Sequence, residues 1–96
     1  MSDLQVMHAR EGSKGRYYIL HDAGESALTY SVVSEKLVIA DHTEVAPGHE
    51  GEGIGLMMLK ELIADARSNG FQIVPLCPYV NAQRRKHPEW ADVFSV

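Results

Sequence analysis

Ninety-six residues, 45% hydrophobic and 23% charged, leave room for one thin core, so a single domain over residues 1–96 is expected. Nine Lys plus Arg against thirteen Asp plus Glu give a formal net charge of −4, which argues against nucleic acid or an anionic membrane as main partner, because both select basic surfaces. No apolar run approaches the roughly 18 residues that cross a bilayer, the longest being Leu37–Ala40 and Leu56–Leu59.

The first half has the spacing of strands. Gln5–Arg10 is a candidate strand and Glu11-Gly12-Ser13-Lys14-Gly15 a turn by composition. Arg16–His21 carries Tyr17, Tyr18, Ile19 and Leu20, which suit a pleated, half-buried surface. Asp22-Ala23-Gly24 turns the chain into Glu25–Val33, where Ala27, Thr29, Ser31 and Val33 alternate with Leu28, Tyr30 and Val32. Ser34-Glu35-Lys36 leads to Leu37–Val45, apolar at its start and polar at Asp41, His42, Thr43 and Glu44. Short connections of this kind predict an antiparallel meander, and the last strand is expected to enter buried and end at an accessible edge.

The second half changes period. Met58, Leu59, Leu62, Ile63 and Ala66 follow helical spacing within Ile54–Asn69, and Gly70 supplies the left-handed residue that commonly follows a helix end. Phe71–Cys77 reads as a strand, parallel to Leu37–Val45 if the two are neighbours. Pro75 has no N–H to donate, so that strand must be an edge or must leave its neighbour near Pro75. Tyr79–His87 reads as a short helix stopped by Pro88, and Glu89–Val96 as a docking tail whose Trp90 and Phe94 pack onto the core.

The sharpest local signal is Pro47-Gly48-His49-Glu50-Gly51-Glu52-Gly53-Ile54-Gly55, between a strand and the long helix. Glycines there let the backbone bring its N–H groups close to an anion, and the helix start adds roughly half a positive charge. The segment therefore suits a phosphate or pyrophosphate, or else is a flexible strand-to-helix loop with close helix packing. A dinucleotide fingerprint would need glycine where Leu56 stands, and a Walker loop would need Lys and Ser or Thr where Ile54-Gly55 stands, so neither pattern applies.

Gly51-Glu52-Gly53-Ile54-Gly55 follows His42-Thr43-Glu44-Val45-Ala46-Pro47 and precedes Val74-Pro75-Leu76-Cys77-Pro78-Tyr79 and His87-Pro88-Glu89-Trp90. These four blocks, in this order, resemble the small single-domain branch of the GNAT superfamily of acetyl-coenzyme A-dependent N-acetyltransferases. The resemblance covers roughly Leu28–Val93. The superfamily loop pattern, Arg or Gln, two residues, Gly, one residue, Gly or Ala, falls on Glu50, Gly53 and Gly55. Glu50 replaces the usual Arg or Gln and Glu52 adds a second acid, so negative charge is expected beside the pyrophosphate, with weak and salt-sensitive affinity.

The resemblance implies an α/β (α+β) fold: a mixed, mostly antiparallel twisted sheet with one splayed parallel strand pair, one long helix and a short C-terminal helix. It implies acetyl-coenzyme A as co-substrate, with Glu50, Gly51, Glu52, Gly53, Ile54 and Gly55 around the pyrophosphate. The pantetheine arm would bond the backbone around Glu44 and Val45, and Asn81 would also bond the arm.

Acetyl transfer to an amine needs a base, a stabilised oxyanion and a proton for the departing thiolate. Imidazole exchanges protons near neutral pH, so His42 is the candidate base; Glu44 shares its strand face and could act through water. Against this, His42 could simply bond strand backbone. Cys77 could be a small buried hydrophobe, but this branch carries a cysteine at the matching position, where the thioester would lie. There it could protonate the leaving thiolate or itself carry the acetyl group. Tyr79 is an alternative proton donor. Arg84-Arg85-Lys86 is the only basic run, either a solvated helix face or a partner for the 3′-phosphate or an acidic substrate. His8, His21, Asp41 and Cys77 lack metal-ligand spacing, so no metal is expected.

The expected activity is thus a minimal N-acetyltransferase whose acceptor side is uncovered, which favours a protein or peptide amine, or a site completed by a partner. A non-catalytic module for coenzyme A or acyl-coenzyme A, or a small structural or interaction domain, are the alternatives. One cysteine and an opening Met1-Ser2-Asp3 without a basic-then-apolar layout suggest a cytoplasmic protein.

Overall fold

The computed structural model describes residues 4–22 and 24–96. Met1-Ser2-Asp3, on which the leader argument rested, and Ala23 of the second turn lie outside the described residues. The elements are β1 (Met7–Glu11), β2 (Lys14–His21), β3 (Gly24–Ser34), β4 (Leu37–Glu44), α1 (Ile54–Asn69), β5 (Gln72–Val74), α2 (Pro78–Lys86) and a 3-10 turn over Pro88–Val93. They form one five-stranded sheet in sequence order, with β1 to β4 antiparallel and β4 parallel to β5. The mixed, mostly antiparallel architecture expected from the sequence is the one observed.

Two regions differ most from expectation, each for a local reason. The first turn shrinks to Gly12-Ser13 because Gly12 adopts φ 62°, the conformation that lets two residues join paired strands, so β1 reaches Glu11 and β2 begins at Lys14. The strand expected over Phe71–Cys77 is confined to Gln72–Val74. Pro75 cannot extend the ladder, Leu76 N–H turns back to Val74 O at 2.9 Å, and contact with β4 resumes only where Cys77 N–H donates to Ala40 O at 2.8 Å. The tail then wraps: Trp90 and Phe94 are buried, Phe94 bridges Ile73, and Ser95 N–H donates to Ile73 O at 2.9 Å.

The core lies on one side of the sheet. α1 spans the predicted residues and ends on Gly70 at φ 74°, whose N–H returns to Ala66 O. Its Met58, Leu59, Leu62, Ile63 and Ala66 pack with Tyr17, Ile19, Leu28, Tyr30, Val38 and Ala40. Burying each large aliphatic side chain stabilises the fold by about 1.5–3 kcal/mol before conformational entropy is charged against it. None of the alternate strand residues, Lys14, Arg16, Tyr18, Leu20, Thr29, Ser31 or Ile39, is buried, so the second sheet face is open. Among the described residues no helix is long and apolar enough to cross a membrane.

Candidate functional site

The glycine loop is held by backbone geometry. Gly48, Gly51 and Gly53 have φ 88°, 82° and 77°, values that side chains with Cβ strongly disfavour. Gly53 caps α1 without a side-chain bond. The first intrahelical bond is Met57 N–H to Gly53 O at 3.0 Å, and the N–H groups of Gly51, Gly53, Ile54, Gly55 and Leu56 have no acceptor among the described residues. Glu50 and Glu52 fold back on the loop itself. Glu50 Oε1 accepts from Gly48 N–H at 3.0 Å, and Glu52 Oε1 meets His49 Nδ1 at 2.9 Å. The entry is braced from β3: buried Ser26 Oγ accepts from Ala46 N–H at 2.8 Å and meets His21 Nε2 at 2.9 Å, while the His21 ring stacks on His49 at 3.9 Å.

The splay lies alongside. β4 and β5 pair only from Leu37↔Gln72 to Ile39↔Val74, so His42–Glu44 continue with β3 on one edge and, among the described residues, with no strand on the other. A bulge helps: Tyr30 pairs with Ala40 and Thr29 with His42, which leaves Asp41 as an extra residue and increases the local twist. Cys77, only 2% exposed, forms the N-cap of α2, and its Sγ lies 3.2 Å from Thr43 Oγ1. Tyr79, two residues on, lies across the start of α1; a Cβ on Gly55 would stand 2.9 Å from its Cζ. Burial first, and Cys77 second, push the Tyr79 phenol above its ordinary pKa, so it keeps its proton through neutral pH.

Sequence-selected residues separate by face. Thr43 pairs with buried Leu28 and shares the α1 face; His42 and Glu44 pair with Thr29 and Ala27 and are exposed on the open face. The structure thus joins Cys77, Thr43 and Tyr79 on one side of β4 and sets His42 and Glu44 on the other. Val45 follows the end of β4, half-buried. Asn81 donates its N–H to Cys77 O at 2.9 Å, and its Oδ1 accepts from Arg84 Nε at 2.8 Å, which leaves the amide Nδ2 as the end with donors to spare. Arg84, Arg85 and Lys86 occupy the last turn of α2, where positive charge complements the helix dipole.

Thr43 was not singled out from sequence, although its alternation with His42 and Glu44 already assigned it the other face. Gly55 inside a helix was the available sign that an aromatic side chain crosses there. Two cavities, of about 510 and 500 Å³, open elsewhere on the molecule and include neither the loop nor Cys77. Among the described residues no group of three His, Cys, Asp or Glu is placed to hold a metal ion.

Residues 16–93 match the profile of the GCN5-related N-acetyl-transferase family. A 48-residue stretch is 44% identical to streptothricin acetyltransferase of Streptomyces lavendulae; it represents 50% of this chain and 25% of that protein. The chain therefore matches about a quarter of that relative's length. The fold resembles a GCN5-like protein of Staphylococcus aureus solved by NMR, with a TM-score of 0.74 and 28% identity over 99% of this chain and 91% of the other.

Proposed function

The chain belongs to the GCN5-related N-acetyl-transferase family, and from that membership we propose that it transfers an acetyl group from acetyl-coenzyme A to an amine. The observation that carries this reading is the convergence of three parts at one end of the molecule. Tyr79 lies on Gly55 at the start of α1, two positions from Cys77, and Cys77 reaches both Ala40 O and Thr43 where β4 loses its parallel partner.

In this reading the acceptor-free N–H groups of Gly51, Gly53, Ile54 and Gly55 bind the pyrophosphate, with Glu50 and Glu52 as the acidic wall. The unpaired edge of β4 at Glu44 and Val45 takes the amides of the pantetheine arm, and Asn81 Nδ2 donates to it. The thioester supplies the activated acetyl group. His42 removes a proton from the acceptor nitrogen as the C–N bond forms. As the C–S bond breaks, Cys77 or Tyr79 returns a proton to the sulfur. The open sheet face beside His42 gives an amine, including one on a peptide, a route to the bond.

Intact-mass analysis and product assay after incubation with acetyl-coenzyme A, wild type beside Cys77→Ala, test the proposal. Acetylated amine is expected, with a cysteine-dependent adduct if Cys77 carries the group and none if it only donates a proton. Binding without product in any amine screen would instead identify a coenzyme A-binding module. No calorimetric response to millimolar acetyl-coenzyme A would sink both.

A further inference from the structure

The glycine loop is entered through a turn that closes where His49 N–H donates to Ala46 O at 3.1 Å. One side chain from outside the loop reaches both ends of that turn. His21, the last residue of β2, stacks its ring on His49 with centroids 3.9 Å apart. Its Nε2 lies 2.9 Å from Ser26 Oγ, which accepts from Ala46 N–H at 2.8 Å. Beyond His49, Glu52 Oε1 lies 2.9 Å from His49 Nδ1, and Gly53, the N-cap of α1, follows directly. A continuous path of contacts therefore joins the end of β2 to the start of the long helix.

Donor and acceptor counts fix the protons on this path. Ser26 is 0% exposed and its oxygen already accepts from Ala46 N–H, so its hydroxyl hydrogen has one acceptor among the described residues, His21 Nε2. Nε2 must then be bare, and Nδ1 carries the ring proton. Nδ1 is itself buried, with no hydrogen-bond partner among the described residues. The other tautomer is worse, because a proton on Nε2 would leave both the Ser26 hydroxyl hydrogen and the Nδ1 lone pair unpaired. A phenyl ring would stack on His49 without an orphaned nitrogen; what the imidazole adds is the acceptor for Ser26.

We infer that His21 is a positioning residue for the cofactor. By accepting from Ser26 and stacking on His49 it holds the entry turn, and with it the acceptor-free N–H groups of Gly51, Gly53, Ile54 and Gly55, in place before coenzyme A arrives. Ala46 directly follows Glu44 and Val45, so pinning it also sets the loop against the free edge of β4. The inference rests on the acetyltransferase reading and adds to it a residue that acts through Ser26 and His49. A loop ordered beforehand spares the cofactor the cost of ordering it, so releasing the loop weakens binding. His42 and Cys77 lie off this path, so turnover at saturation is left alone.

Two variants divide the contacts. His21→Phe keeps a ring for His49 but gives Ser26 no acceptor; His21→Gln keeps an acceptor but has no ring. In His21→Phe, KM for acetyl-coenzyme A and Kd for coenzyme A by calorimetry are expected to rise about tenfold, with kcat within about twofold of wild type. His21→Gln is expected to recover most of that loss. Unchanged Kd in His21→Phe, a fall in kcat without a rise in KM, or no recovery in His21→Gln would overturn the inference while acetyl transfer stands. If the wild-type protein binds no coenzyme A, both readings fall. The wild type also gives a test that holds even if neither variant folds. Proton–nitrogen NMR correlation of the histidine rings above neutral pH is expected to find His21 protonated at Nδ1 and bare at Nε2, and a proton on Nε2 would overturn the inference.

Discussion

Neighbouring residues of β4 live under opposite constraints. Thr43 faces the α1 side, where Leu28, Ala40 and Cys77 are buried; His42 and Glu44 face a side on which no strand residue is buried. Packing fixes the first set, because a change of one methylene in a close-packed interior is felt. The second set is free of that demand, because its side chains are exposed. The two sets meet only at the end of β4, where the loss of β5 exposes a backbone edge to both.

Substitutions on each face test the contrast. On the covered face, Leu62→Ala removes a fully buried side chain and is expected to cost about 2–5 kcal/mol in denaturant unfolding. On the open face, His42→Gln is expected to lower kcat about 100-fold while leaving stability within about 0.5 kcal/mol of wild type; a large loss of stability would break the contrast. Gly15→Ala probes the covered face again, opposite Tyr30. Its Cβ would stand 2.2 Å from Tyr30 Cζ, so the ring must move, at about 1–3 kcal/mol in thermal unfolding.

The loop acids give a smaller effect with the opposite sign. Glu50 occupies Gly48 N–H as a tethered anion would, so Glu50→Gln is expected to tighten acetyl-coenzyme A binding about three-fold by calorimetry, and less at high salt. The smallest effect concerns the exposed Arg67–Asp92 pair, at 2.8 and 3.1 Å, where the guanidinium holds the Asp92 carboxyl below its ordinary range. A carboxylate whose folded pKa is depressed contributes stability above its unfolded value of about 3.9. That contribution is lost as pH falls through the lower folded value. Thermal unfolding between neutral and acidic pH should therefore show a slightly shallower loss in Arg67→Gln than in wild type.

Much of this was legible in residue order. The period of Met58, Leu59, Leu62, Ile63 and Ala66, closed by Gly70, specified α1 to the residue, and the alternation in β3 set Leu28 and Tyr30 on one face, which the structure buries. Pro75 announced that the parallel pair would part. Less legible were the two-residue turn at Gly12-Ser13 and the shortness of β5. Both depend on which partner groups are within reach, and composition does not record reach.

The sequence by itself determined the strand, helix and strand order, the glycine loop and the candidate residues His42 and Cys77, because periodicity and missing Cβ or N–H groups are properties of the chain. Only the tertiary structure decided that Cys77 meets Thr43 and Tyr79 on the covered side of β4 while His42 shares a row with Arg16 and Thr29 on the open side. Register, a single-residue bulge at Asp41 and the docking of α2 set those neighbours, and each depends on pairing between segments distant in sequence.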